Sequence, residues 1–168
     1  MESLLAESFF VPRNEGVAPT AAYNRAKDAD GVPVLKTWVY PAYKAFRTYQ
    51  FKMVRAALFQ NTLVTLPTGL GKTFIAATVM LNFYRWFSDG QIFFLAPTKP
   101  LVAQQIHAFA NTITEVDADD IVELTGEDSQ RSRRKYYKSK RVFFMTPQTL
   151  ENDIEAGMVD CERIVLLV

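Results

Sequence analysis

Cysteine and histidine each occur once in this chain of 168 residues, as Cys161 and His107. A single cysteine excludes an internal disulfide framework. A lone histidine with no cysteine or carboxylate partner at ligand spacing argues against a metal centre built on it. Excess charge of one sign is missing as well: 19 basic against 18 acidic residues give a formal net charge of +1. That excludes a strongly basic arm or an acidic tail as the main theme and leaves room for a local basic face. No stretch approaches the ~18–20 apolar residues that span a bilayer. Residues 1–10 carry Glu2 and Glu7 with no basic lead-in, unlike a secretory signal. The expectation is an intracellular α/β protein with no membrane partner, and at roughly 100–200 residues per domain the length accommodates one domain and a tail.

What is present is 49% hydrophobic residues, 13 of them Phe, and a regular alternation that begins near Tyr40. Residues 1–36 contain Pro12, Pro19 and Pro33 and no sustained periodicity. They read as a disordered or loosely docked extension, with a partner-binding peptide as the other reading. Leu4, Leu5, Phe9 and Phe10 make at most a short amphipathic turn that Pro12 ends. Over residues 44–60, Phe46, Tyr49, Met53, Ala57 and Leu58 fall near helical spacing. Residues 62–66 read as a short strand, 72–87 as a helix, 91–96 as a buried strand and 100–111 as a helix with Pro100 in its first turn. Weaker strand character at 121–124 is followed by a charged helix at 128–140, a buried strand at 141–145, a helix at 147–157 and an apolar strand at 163–168. Continuous apolar strands alternating with helices predict a parallel sheet covered on both faces. From residue 37 to 168 the chain reads as one domain.

The strongest local signal is Pro67-Thr68-Gly69-Leu70-Gly71-Lys72-Thr73 between a predicted strand and a predicted helix. Phosphate binding needs backbone N–H groups turned toward one anion at the positive end of a helix. Gly69 and Gly71 permit the tight turn and close backbone approach. Lys72 would reach the β- and γ-phosphates and the Thr73 hydroxyl would take a place on Mg²⁺. The general P-loop pattern has Gly where this chain has Leu66. A Gly-rich turn with an incidental Lys-Thr is the plainer reading, but the strand–loop–helix context favours nucleotide binding.

Pro-Thr-Gly-x-Gly-Lys-Thr resembles motif I of superfamily-two helicases. Upstream, Phe46-Arg47-Thr48-Tyr49-Gln50 resembles the Arg-x-Tyr-Gln adenine-recognition element of that group, in which Gln50 would meet the adenine edge and Arg47 would stack on the base or meet a phosphate. Ala96-Pro97-Thr98-Lys99-Pro100, Leu124-Thr125-Gly126 and Thr146-Pro147-Gln148 resemble its strand-contact motifs, each at the C-terminal end of a predicted strand, where ligand sites collect in open α/β sheets. Thr98, Lys99, Thr125, Gly126, Thr146 and Gln148 are therefore candidate contacts to single-stranded DNA, of the phosphate kind that positions a strand without reading it.

The wording between the motifs is similar to the Fanconi anaemia group M family, with its fungal homologues and archaeal Hef. The similarity runs over residues 37–168 and includes Ala56-Ala57-Leu58-Phe59-Gln60-Asn61, Lys72-Thr73-Phe74-Ile75-Ala76-Ala77 and Arg141-Val142-Phe143-Phe144-Met145-Thr146. It implies a RecA-like P-loop NTPase fold and an ATP- and Mg²⁺-dependent DNA translocase of the nucleus, acting on branched DNA in repair with repair-complex partners. In that family the strand matching residues 164–168 runs into Asp-Glu-Ala-His, and a second RecA-like domain completes the cleft. The resemblance thus implies that residues 37–168 are an incomplete first helicase domain and that the isolated chain turns over ATP poorly. Rival readings are a non-catalytic nucleotide- or DNA-binding fragment and a small P-loop kinase or GTPase. Of the weaker features, the basic cluster at 131–141 reads as a solvated helix face or a supporting phosphate contact. Tyr136 and Tyr137 read as packing on the sheet, and Cys161 as a buried or boundary thiol.

Overall fold

The computed structural model describes residues 9–10, 37–41 and 45–168. The chain divides into two compact units, Met1–Ser88 and Asp89–Val168.

In the first unit, β1 (Phe9–Phe10) and β2 (Thr37–Trp38) form an antiparallel pair, with Phe9 opposite Trp38. Phe9 and Phe10 thus enter a ladder rather than the amphipathic turn expected for them; the rest of residues 1–36 lies outside the described residues. Helix α1 (Thr48–Phe59) buries Gln50, Val54 and Leu58, one residue per turn on a single stripe. Helix α2 (Lys72–Trp86) is buried over most of its length, from Phe74 to Trp86, as an apolar-all-round helix must be. Aromatic rings fill this unit: Trp38 meets Phe51 at 5.1 Å, Tyr40 meets Phe74 at 5.4 Å and Phe59 meets Trp86 at 6.2 Å between centroids. Asn82, fully buried on α2, clamps the segment after β2. Its Oδ1 accepts from the Val39 amide at 2.7 Å and its Nδ2 donates to the Val39 carbonyl at 2.9 Å, which satisfies an amide that burial would otherwise penalise.

Two expectations fail here. The helix expected over 44–60 starts only at Thr48, because Arg47 is extended (φ −126°, ψ 114°), so Phe46 leaves the helical stripe and stands 63% exposed. Residues 62–66, expected as a strand, form no ladder, and Leu63 is 88% exposed. A β-branched and apolar pattern supplies side chains suited to a sheet, but a strand exists only where a neighbour accepts its backbone hydrogen bonds.

The second unit is a parallel sheet of four strands, β3 (Gln91–Leu95), β4 (Ile121–Glu123), β5 (Val142–Met145) and β6 (Ile164–Leu167), in the order β4-β5-β3-β6. Register pairs Phe93 with Phe143 and Phe94 with Phe144, and both ring pairs stack, at 4.9 and 5.3 Å. Successive strand residues point to opposite faces, so these two stacks stand on opposite sides of the sheet. Helix α3 (Lys99–Ala110) brings Phe109 to Phe144 at 5.5 Å, whereas α4 (Gln130–Ser139) brings Tyr137 to Phe143 at 5.1 Å. Helices therefore cover both faces, as the continuous apolar strands predict. Helix α5 (Pro147–Glu155) adds Leu150 to the cluster of Phe93, Tyr137, Phe143 and Met145. The predicted strands and helices of this unit all form, within one or two residues at each end. Cys161, expected to be buried or at a boundary, is exposed.

Candidate functional site

The segment Pro67 to Thr73 turns on two glycines with left-handed backbone, Gly69 at φ 84° and Gly71 at φ 88°, a conformation that costs other L-residues about 1–2 kcal/mol. Gly71 stands at the N-cap position of α2 with no side chain capping the helix, which leaves the positive end of α2 open to an anion. A Cβ on Gly71 would lie 2.2 Å from Nε2 of Gln50, whereas one on Gly69 would meet nothing within 4 Å. A side chain at Gly71 would be strained by its φ and would have to displace the Gln50 amide, whereas Gly69 faces open space.

The loop is held from α1. Gln50 Nε2 and the Tyr49 hydroxyl both donate to the Leu70 carbonyl, at 3.1 and 3.0 Å, and Arg47 donates to the Tyr49 oxygen at 3.0 Å. The sequence-predicted Gln50 thus meets the phosphate loop directly, and Arg47 is linked to it through Tyr49, whose bridging role the motif alone did not reveal. Lys72 lies exposed and folds back to donate to the Leu66 carbonyl at 2.7 Å, so the ammonium is tethered at the loop mouth. Pro67, Thr68 and Leu70 are exposed and Thr73 is half-buried in the first turn of α2. Chemically, this is an uncapped helix N-terminus with one exposed cation beside it.

In the second unit, the parallel order places the ends of β3, β4 and β5 on one edge. The Ala96 amide donates to Met145 O at 3.0 Å and the Leu124 amide to Phe144 O at 2.9 Å, so Thr98, Thr125 and Thr146 all follow strands in direct register. Their hydroxyls differ. Thr146 caps α5, accepting from the Thr149 amide at 3.3 Å and sharing a 3.0 Å bond with the Thr149 hydroxyl. Thr125 donates to Asp128 Oδ2 at 3.0 Å and accepts from the Glu127 amide at 3.3 Å. Thr98 occupies the N-cap position of α3 but makes no side-chain cap. Lys99 pairs with Glu127 across to the next loop, Gln148 binds Glu151 and Asn152 within its own helix at 3.2 and 3.0 Å, and Gly126 is exposed with open space above its Cα. Sequence reasoning missed Glu127 and Asp128, whose carboxylates organise this edge; the Thr-Gly-Glu-Asp turn composition was the available signal.

Beneath the edge, Asp153 is fully buried between the Arg133 guanidinium and the Tyr137 hydroxyl, which donates at 2.7 Å. Burial pushes the Tyr137 hydroxyl far above the usual tyrosine range, and the bond to Asp153 pushes it further. The basic cluster is accordingly divided. Arg133 and Arg141 pair with Asp153 and Asp120 and Lys140 donates to Asp119 O, while Arg131, Lys135 and Lys138 are exposed.

The family described as type III restriction enzyme, res subunit (ResIII) matches residues 43–167. The chain belongs to the ResIII family. This ResIII chain is 49% identical over its whole length to the ATP-dependent DNA helicase mph1 of Aspergillus fumigatus, of which it spans 15%. It is 54% identical over 131 residues, 78% of its length, to the ATP-dependent DNA helicase fml1 of Schizosaccharomyces pombe, of which it spans 16%. Among solved structures, the Pyrococcus furiosus Hef helicase domain matches 73% of the ResIII chain with TM-score 0.67 and 38% identity, over 25% of that structure. An ATP-dependent RNA helicase structure from Sulfolobus tokodaii, described as hypothetical, matches at TM-score 0.60 and 20% identity and supports the fold alone.

Proposed function

We propose that this chain is the ATP-binding part of a DNA helicase or translocase motor of the Fanconi anaemia group M kind. The observation that carries the reading is the uncapped N-terminus of α2 behind two left-handed glycines, with Lys72 at its mouth. The amides of residues 69–73 hold the phosphates, and Lys72 exchanges the Leu66 carbonyl for the β- and γ-oxygens. Arg47 and Gln50 face the adenine. Mg²⁺ supplies charge neutralisation on those phosphate oxygens, and the Thr73 hydroxyl is the group of this chain that would hold it. The exchange at Lys72 is favourable because a charge-assisted bond to a phosphate is stronger than one to a neutral carbonyl.

The strand-end edge of β3, β4 and β5 supplies the contact to single-stranded DNA, through Thr98 and Lys99, Thr125 and Gly126, and Thr146 and Gln148. The chain spans about one-seventh of the curated relatives it matches. Action on forks and junctions in repair, a nuclear setting, a second RecA-like domain and repair-complex partners belong to this reading of the whole protein, supported by the helicase names of the fungal relatives. Titration with a fluorescent ATP analogue tests the core of it. Lys72→Ala is expected to weaken binding on the order of 10–100-fold, the worth of one charged hydrogen bond. Unchanged affinity would overturn the reading.

A further inference from the structure

Seven basic residues and no acidic one fall within residues 131–141, and the structure sorts them. Three are held by the fold: Arg133 pairs with Asp153, Arg141 pairs with Asp120, and Lys140 donates to the Asp119 carbonyl. The other four, Arg131, Arg134, Lys135 and Lys138, are exposed on α4. At about 3.6 residues per turn they share an arc of about 100°, opposite the face that sets Arg133 on Asp153 and Tyr137 on Phe143. Among the described residues no carboxylate pairs with any of the four, and Arg134 has a 3.5 Å bond to the Ala156 carbonyl. Within the helix this stripe is unfavourable. Like charges three and four residues apart repel across a helix surface. Arg131 stands in the first turn, which holds no acidic residue and where the helix dipole disfavours a cation. Lys138, in the last turn, is the one that suits the dipole.

We propose that this face of α4 holds the phosphate backbone of a DNA duplex that continues from the single strand on the edge of β3, β4 and β5. This rests on the DNA-contact part of the reading above and adds the structure of the DNA. Helix α4 leaves the end of β4 through the Thr125–Asp128 turn and returns to the start of β5. Arg131 therefore stands nearest the strand-end edge, and Lys138 lies about 10 Å further along the helix axis. A duplex carries one charge per about 1.7 Å of its axis, so four cations over that rise meet several phosphates at once. Sites for single strands combine cations with aromatic rings on which bases stack. This face has the cations alone, because Tyr136 packs against the apolar cluster beneath and Tyr137 is buried. A contact without rings suits a duplex, whose bases are already stacked on one another.

Fluorescence-anisotropy titrations of the chain with a single strand and with a single-strand/duplex junction, at several salt concentrations and beside thermal melts, test this. The triple change Arg131→Gln, Lys135→Gln and Lys138→Gln should weaken the junction on the order of 10–100-fold at about 0.1 M salt and lower its salt slope by about 2–3. Single-strand affinity should fall by no more than about threefold, and the melting temperature should stay equal or rise, because repulsion along α4 is relieved. Lys135→Arg with Lys138→Arg should keep junction affinity. An unchanged junction affinity and salt slope in the triple variant would overturn the duplex contact and leave the strand-end contact standing, the face then fitting an acidic protein surface. Equal weakening of single strand and junction would also overturn it, since the stripe would then attract any polyanion. So would weakening that tracks a fall in melting temperature, which would mean that the charges serve the fold. An unaltered chain that binds neither DNA would overturn the strand-end contact as well.

Discussion

At the phosphate loop, the side chains that hold the turn come from elsewhere: Tyr49 and Gln50 reach over from α1 to the Leu70 carbonyl, and the N-cap position of α2 is a glycine with nothing to cap with. At the end of β5, the turn holds itself, because Thr146 spends its hydroxyl on the Thr149 amide. Both are junctions of a strand-like segment with a helix, and both present first-turn amides. A helix N-terminus capped by its own side chain has already satisfied a donor, whereas one held from outside keeps its donors for a ligand. Thr98 stands between these cases, at an N-cap position where its side chain makes no cap bond.

The comparison can be broken most strongly beneath the strand ends. Asp153→Ala leaves the half-buried Arg133 guanidinium and the Tyr137 hydroxyl without their partner, so denaturant unfolding should show a loss of about 3–5 kcal/mol. A loss under about 1 kcal/mol would mean that apolar packing alone holds α4 and α5 beneath that edge. At the phosphate loop, Gly71→Ala combines left-handed strain of about 1–2 kcal/mol with a collision against Gln50. ATP-analogue affinity should fall while the helical circular dichroism signal persists. Gly69→Ala, which meets open space, should show the strain alone and a smaller loss of affinity.

The finer test lies between two threonines. Thr146→Ala removes a working cap and should cost about 1 kcal/mol of stability. Thr98→Ala removes none and should stay within about 0.5 kcal/mol, while weakening single-stranded DNA in a fluorescence-anisotropy titration by a few-fold. Equal destabilisation by the two changes would show that Thr98 is a structural cap after all.

Much of this was legible in the chain itself. Residues 92–96 and 142–145 announce buried strands because their apolar runs are unbroken, and Phe93, Phe94, Phe143 and Phe144 duly fill both faces. The glycines at 69 and 71 announce a turn because few other residues adopt that backbone. Residues 62–66 carry an equally good strand pattern and form no strand, since the pattern describes side chains whereas a ladder needs a second backbone. Phe46 sat on the predicted helical stripe, and one extended residue, Arg47, removed it.

The sequence by itself determined the order of the elements from residue 91 onward, the turn of the phosphate loop and the residue types available to meet an anion, because these depend on local backbone preferences and on periodicity. Only the tertiary structure decided which of those residues are free to act. It set Tyr49 and Gln50 of α1 on the Leu70 carbonyl and paired Lys99 with Glu127 of the next loop. It also buried the Asp153 side chain between Arg133 and Tyr137 and turned the Phe46 ring outward. A side chain's availability depends on which partners come within about 3 Å, and that distance is set by packing between segments far apart in the chain.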